Sequence, residues 1–260
     1  MAILIAVFLP LVSYVLVKRA SDHAIVMPRR YFYDSVSTRI QDGKRMEDTI
    51  WHSVFPIALT NQLGAHVSLG QLKGKAIVLD FFFTHCPSIC PTLTRNMKQI
   101  QDALKSEESV KRADSSFLQF VSFTVDPERD SAAVLKKYGD RFGVNPDLWW
   151  LLTSPKKAIY DFALDELKLG LVDGEGVDSN FIHTQKIVLL DKERVVRGYY
   201  DGLDSMGLMN LARDIGLIML EKDRHAKPEI LSEMIAIWPI FLFVIIAVAL
   251  FMVFNRKPAF

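Results

Sequence analysis

Residues 76–91 read AIVLDFFFTHCPSICP, an apolar run that ends in two cysteines. The apolar part, residues 77–83, has the composition of a buried strand, and a helical pattern begins near Cys90. Cys86 and Cys90 are the only cysteines among the 260 residues. Two thiols four positions apart at a strand-to-helix turn can face the same way, and the N–H groups at a helix start favour the thiolate form. The stretch therefore predicts a single thiol site, built either as a metal site or as a redox pair.

The charge and the hydropathy of the chain indicate which kinds of partner it has and where it meets a membrane. The net charge is +1, so neither nucleic acid nor a strongly acidic partner is indicated. Residues 1–17 carry no charged side chain, and residues 235–254 are all uncharged and mostly apolar. At about 1.5 Å per residue, the second stretch spans roughly 30 Å of hydrocarbon. We therefore predict a retained N-terminal transmembrane anchor at residues 1–17 and a C-terminal transmembrane helix at residues 231–254.

Two spans would place both termini on the same side of a membrane. Arg256 and Lys257, after the second span, favour cytoplasmic termini, whereas Lys18 and Arg19, after the first, favour the reverse. A long loop crosses a membrane largely regardless of its charge, so charge alone leaves the orientation open.

The polar residues 18–50 indicate a connector, and residues 51–222 are long enough for one compact domain. Apolar runs and turn residues predict a hairpin, then β-α-β-α-β-α, then a second hairpin and a final helix. That order predicts an α/β fold with parallel central strands and antiparallel additions. The predicted segments are strands on both sides of a turn at 61–64, strands at 76–83, 117–125, 148–152, 184–190 and 195–200, and helices at 91–106, 131–142, 155–167 and 205–221.

Two uses of the cysteine pair are compatible with the residues. Thiol-exchange enzymes usually separate their cysteines by two residues, whereas three separate Cys86 from Cys90. Two thiolates and an imidazole suit Cu(I) without a fourth ligand, while structural zinc requires four protein ligands. Both a redox pair and a copper site remain open on this reasoning.

His183 is the best third ligand among the six histidines, because the loop before its strand can return beside the first strand-to-helix turn. A lone histidine at a strand start is also compatible with a surface role. The other five lie near the predicted membrane segments, in or before the first hairpin, or, for His85, beside Cys86 with the ring expected to point away from the thiols: His23, His52, His66, His85 and His225.

Other conspicuous residues have structural explanations. In the run DPERD, residues 126–130, Asp130 precedes Ser131 and is predicted to cap the following helix rather than to bind metal. The nine methionines are scattered and are interpreted as packing residues.

Three stretches resemble one family, SCO/SenC. They are FFFTHCPSICPTLT (residues 81–94), VSFTVDPERDSAAVLKKYGDRF (121–142) and FIHTQKIVLLDKERVVRGYYDG (181–202), and the likeness extends over about residues 55–218. The resemblance implies a membrane-anchored, thioredoxin-like domain with an N-terminal β-hairpin and a central mixed sheet. It also implies one bound copper ion, Cu(I) or Cu(II), held by two cysteines and a histidine that match Cys86, Cys90 and His183.

The same resemblance implies a function in the assembly of cytochrome c oxidase. The chain would receive copper from a donor chaperone and deliver it to the CuA site of oxidase subunit II. The alternatives are a thiol–disulfide oxidoreductase that reduces the CuA cysteines through a Cys86–Cys90 disulfide, and a copper or redox sensor. Either oxidase role would require an inner-membrane protein with two spans and the domain in the periplasm or an equivalent space.

Overall fold

The computed structural model describes residues 12–17, 26–41, 44–106, 117–169 and 185–221. The chain divides into two units, one formed by Met1–Val26 with Glu221–Phe260 and the other by Met27–Leu220. Residues 12–17 of the predicted anchor are helical, and the predicted helix at 231–254 lies outside the described residues. Within the ranges described, no helix is both long enough and apolar enough to cross a membrane.

The second unit is built on a seven-stranded sheet. The three strands in its middle are parallel to one another, and all other pairings are antiparallel. This arrangement confirms the predicted α/β fold with a parallel centre and antiparallel additions. In spatial order the strands are β4 (His66–Ser68), β3 (Ala58–Asn61), β7 (Trp149–Thr153), β6 (Leu118–Thr124), β5 (Ala76–Phe82), β8 (Lys186–Leu190) and β9 (Val196–Asp201).

Helices cover both faces of the central strands, which explains why every residue of β5 and β6 is buried. Because side chains alternate along a strand, Val78 and Phe82 of β5 join one core, while Leu79 and Phe81 join the other. Cys86 and Cys90 belong to the first core. The helices are α1 (Cys90–Ser106), α2 (Ala132–Phe142), α3 (Lys156–Asp161) and α4 (Ser205–Leu220).

Two segments differ from the sequence-based expectations. The strands β1 (Tyr33–Gln41) and β2 (Lys44–Trp51), which lie mostly in the segment assigned to the connector, pair antiparallel with each other. The helix predicted to run to residue 167 changes at Phe162–Glu166 into a π-turn, in which the Leu167 N–H donates to the Phe162 carbonyl. Phe162 is thereby buried in the second core.

The last helix, α4, packs closely against the end of β9. A Cβ atom at Gly207 would overlap the backbone carbonyl oxygen of Asp201, which cannot move without shifting β9. Asn96 of α1 donates to the Gly202 carbonyl oxygen at 2.8 Å, so the same junction also contacts the helix that begins at Cys90.

We predict that Gly207→Ala lowers the free energy of unfolding by about 2 kcal/mol, because the added methyl group meets backbone atoms. Gly216→Ala, in the same helix, is the matched control, since a Cβ there meets no atom within 4 Å. That substitution should stabilise the chain by about 0.5–1 kcal/mol through its helix propensity. Urea unfolding of both variants measures the difference, and equal midpoints would contradict the close packing at Asp201.

Candidate metal centre

The two cysteines lie where β5 passes into α1. The Cys86 N–H donates to the Phe83 carbonyl oxygen at 3.2 Å, which closes a tight turn directly after the strand. Cys90 is the first residue of α1. Cys86 is 6% exposed and Cys90 1% exposed, and the two side chains are hydrogen-bonded to each other. The structure therefore brings the two predicted thiols together in one site that is almost closed to solvent.

The protonation of Cys90 is opposite to the sequence-based expectation. Burial raises the pKa of its thiol well above the ordinary value, and the hydrogen bond with Cys86 raises it further. The Phe83 backbone acts in the opposite direction but is a smaller influence. Burial and the hydrogen bond with Cys86 thus favour the protonated thiol of Cys90, against the thiolate form expected from its place at a helix start.

Asp80 is a charged residue that the sequence reasoning did not assign to the site. It is 1% exposed in the middle of β5, on the face that carries Val78 and Phe82. Burial raises the pKa of its carboxyl to about 7, against the lowering effect of a hydrogen bond from Ser122. The charge of Asp80 also raises the pKa of Cys90. A single acid in the otherwise apolar run AIVLDFFF was the signal that could have identified it.

Hydroxyl groups fix the first turn of α1 against α2. The Thr94 hydroxyl donates to the Cys90 carbonyl oxygen at 2.9 Å and lies 2.9 Å from the Tyr138 hydroxyl. The Tyr138 ring packs against Phe82, with ring centroids 5.1 Å apart. These contacts connect the backbone at Cys90 to α2 and to the end of β5.

Asp130 connects the ends of two parallel strands, and this corrects its predicted role as a helix cap. The carboxylate, fully buried, accepts hydrogen bonds from the Thr84 N–H at 3.0 Å, from the Thr84 hydroxyl and from the Thr124 hydroxyl. Ser131, at the N-cap position of α2, makes no side-chain cap bond. Because β5 and β6 are parallel neighbours, their carboxyl ends meet at one sheet edge, and Asp130 binds both. The residue thus holds the turn that carries Cys86.

The predicted third ligand, His183, lies outside the described residues. Lys186, at the start of β8, can nevertheless be placed. β8 pairs antiparallel with β5, in register Ile77↔Leu190 to Leu79↔Val188, so β8 begins at the sheet end where β5 leads into the Cys86 turn. Across the described ranges, no group of three or more His, Cys, Asp and Glu side chains converges as a metal site.

Residues 52–215 match the family model SCO1/SenC. The chain belongs to the SCO1/SenC family. This confirms the resemblance based on the cysteine motif, and the α/β sheet is consistent with the thioredoxin-like fold of Sco proteins. Proteins of this family are linked to copper and to the assembly of cytochrome c oxidase.

Three relatives illustrate the similarity. The SCO1 protein homolog of Bacillus subtilis is 33% identical over 174 residues, which are 66% of this chain and 86% of that one. A SCO1/SenC family lipoprotein from Bacillus anthracis is 32% identical, with a TM-score of 0.55 over 65% of this chain and 95% of that one. BsSco, described as a member of the Sco family of cytochrome c oxidase assembly proteins with a disulfide switch, is 29% identical, with a TM-score of 0.55 over 67% of this chain and 98% of that one.

We predict that Asp130→Ala lowers the free energy of unfolding by about 3 kcal/mol, because the buried donors of Thr84 and Thr124 lose a charged acceptor. Glu128→Ala is the control: Glu128 belongs to the same DPERD run but is exposed, so its removal should change stability by less than about 0.5 kcal/mol. Denaturant unfolding compares the two variants. A loss for Asp130→Ala as small as that of the control would contradict its role in joining the strands.

We predict that Asp80→Asn gains stability relative to the wild type as the pH rises. The folded-state pKa of Asp80, about 7, lies above its ordinary value, so the folded chain binds the proton more tightly than the unfolded chain. The stability that this proton contributes is present below about pH 4 and is lost as the pH rises through about 7. Because asparagine does not titrate, the variant does not lose this stability as the pH rises.

Urea unfolding between about pH 4 and pH 8 tests the prediction, with the exposed Asp147→Asn as control. The stability difference between Asp80→Asn and the wild type should grow in favour of the variant over this interval. A difference that does not vary with pH would show that Asp80 titrates as an ordinary carboxyl.

Proposed function

We propose that this chain is a membrane-anchored copper metallochaperone. It would hold one copper ion on Cys86, Cys90 and His183 and deliver it to the CuA site of cytochrome c oxidase subunit II. The observation that carries the proposal is the pair of hydrogen-bonded, nearly buried thiols at the end of β5, in a chain of the SCO1/SenC family.

The donor set fits copper better than other common metals. Thiolate sulfur is a soft ligand and favours Cu(I), whereas magnesium and calcium require oxygen ligands. Structural zinc would need four protein ligands, and the chain has only two cysteines. The raised pKa of Cys90 is compatible with this use, because the metal replaces the thiol protons as it binds.

The antiparallel pairing of β5 with β8 supports His183 as the third ligand. β8 begins at Lys186, at the sheet end where the Cys86 turn leaves β5. His183 precedes Lys186 by three residues in the sequence. An imidazole beside two thiolates completes a three-coordinate set that suits Cu(I), and Cu(II) also accepts imidazole and thiolate.

Delivery would proceed by exchange of ligands. A thiolate of the client displaces one ligand of this chain at a time, and each cysteine that releases copper regains a proton from solvent. A donor chaperone would load the site by the reverse exchange. No disulfide forms and the copper ion keeps its oxidation state, so the cargo is transferred by exchange of ligands and protons alone.

We also propose the location that this function requires. Residues 1–17 and 231–254 would span the inner membrane, residues 18–50 would lead from the first span, and the domain at 51–222 would lie in the periplasm or an equivalent space. The uncharged stretches of the sequence support the spans, and the SCO1/SenC relative from Bacillus anthracis is a lipoprotein.

A thiol–disulfide oxidoreductase is the second candidate. The hydrogen bond between the Cys86 and Cys90 side chains brings the two sulfurs close to each other, and a disulfide switch is described for BsSco. The dithiol would reduce a disulfide of the oxidase subunit, form the Cys86–Cys90 disulfide and leave two thiols on the client, so that two electrons and two protons are transferred.

We predict that the purified, reduced full-length chain binds one copper ion per molecule under anaerobic conditions. Cys86→Ser/Cys90→Ser should bind none, because the soft ligands are gone, and His183→Ala should bind more weakly by at least about tenfold. His66→Ala is the matched control, an exposed histidine on the edge strand β4. Copper is measured by atomic absorption after gel filtration.

Two results would overturn the proposal that this chain carries copper. One is copper binding that survives loss of both cysteines. The other is a wild-type chain that takes up no copper yet reduces disulfides, with His183→Ala equally active, which would favour the oxidoreductase.

A further inference from the structure

His85 precedes Cys86 directly, and its side chain is 62% exposed. Cys86 and Cys90, in contrast, are 6% and 1% exposed. Of these three side chains, the imidazole is therefore the one that solvent reaches most freely. The sequence reasoning set this histidine aside because its ring was expected to point away from the thiols.

The hydrogen bonds around His85 determine which ring nitrogen carries the proton. Its Nδ1 lies 3.0 Å from the Thr84 hydroxyl oxygen and 3.8 Å from Asp130 Oδ1. The Thr84 hydroxyl already donates its proton to Asp130 Oδ1. The oxygen can therefore only accept from His85, so in the neutral ring Nδ1 carries the hydrogen and Nε2 the lone pair.

This arrangement resembles the support of a metal-binding histidine. Such a histidine donates its second ring N–H to a carboxylate or another acceptor, which fixes the tautomer and the orientation of the ring. Here the acceptor is Thr84, and the buried carboxylate of Asp130 in turn fixes Thr84 through both its N–H and its hydroxyl. The lone pair of Nε2 belongs to an exposed residue that directly precedes Cys86 in the chain.

We propose that His85 is the capture ligand of this site: its Nε2 binds the incoming copper ion first and passes it to Cys86 and Cys90. The inference rests on the proposed copper-carrier function. The first step forms an Nε2–copper bond and releases one ligand of the donor, without loss of a proton. In the next steps the Cys86 and Cys90 thiols each lose a proton to solvent as their sulfurs bind, and His85 dissociates because Cu(I) prefers thiolate.

Two other described histidines differ from His85 in their surroundings. His52 lies between two carboxylates, with Nδ1 2.8 Å from Asp34 and Nε2 3.3 Å from Glu166. His66 is exposed and has its Nδ1 3.5 Å from the Thr60 hydroxyl, on strand β4 at the sheet edge. His66 is therefore a matched control, a solvent-facing histidine beside a threonine but away from β5.

Stopped-flow transfer from the coloured Cu(I)–bicinchoninate complex to the reduced full-length chain tests the proposal. His85→Ala should load at least about tenfold more slowly than the wild type, since even the loss of an outer-shell partner of a metal ligand commonly costs that factor. The final copper content should remain one per chain. His66→Ala should load at the wild-type rate, and Thr84→Val should slow loading because Nδ1 loses its acceptor.

Three outcomes would overturn the capture role. Loading of His85→Ala at the wild-type rate would show that copper reaches the thiols directly. Loss of bound copper at equilibrium in His85→Ala would make His85 a permanent ligand rather than a capture ligand. Failure of the wild type to take up any copper would reject the carrier function, and the capture role with it.

Discussion

The cysteine site depends most on the hydrogen bonds that the carboxylate of Asp130 accepts. This carboxylate is fully buried, and it binds Thr84 at the end of β5 and Thr124 at the end of β6. A buried carboxylate is costly unless its oxygens are hydrogen-bonded, so these bonds specify one geometry for the two strand ends. Asp130 thereby fixes the start of the turn from Thr84 to Cys86. Thr94 and Tyr138 fix the backbone at Cys90.

The second constraint is the burial of Cys86, Cys90 and Asp80 away from solvent. Burial raises the pKa of Cys90 and of Asp80, so the metal-free domain disfavours the charged form at both positions. A soft cation that binds two thiolates in place of two protons relieves the cost of charge at the sulfurs. A site of this kind discriminates against strongly hydrated cations, because such ions would have to lose water without gaining oxygen ligands. Exposed His85 supplies what the buried thiols lack, a ligand within reach of solvent.

Sequence reasoning was most successful where the pattern was local. The apolar run before Cys86, the helix from Cys90 and the order of later elements determined the sheet, since each is set by periodicity and turn residues. It failed where partners lie far apart in sequence. Asp130 looked like a helix cap because its partners, Thr84 and Thr124, become neighbours only after parallel strand pairing. The thiolate expectation for Cys90 failed because helix termini are visible in a sequence, whereas burial is a property of the folded core.

The proposed function requires that Cys86 and Cys90 bind copper together. X-ray absorption spectroscopy at the copper edge, on the reduced full-length chain loaded with one equivalent of Cu(I), identifies the atoms that bind the ion. We expect two sulfur neighbours and one nitrogen neighbour per copper ion. A first shell that contains only nitrogen and oxygen, or more than two sulfurs per copper, would contradict it.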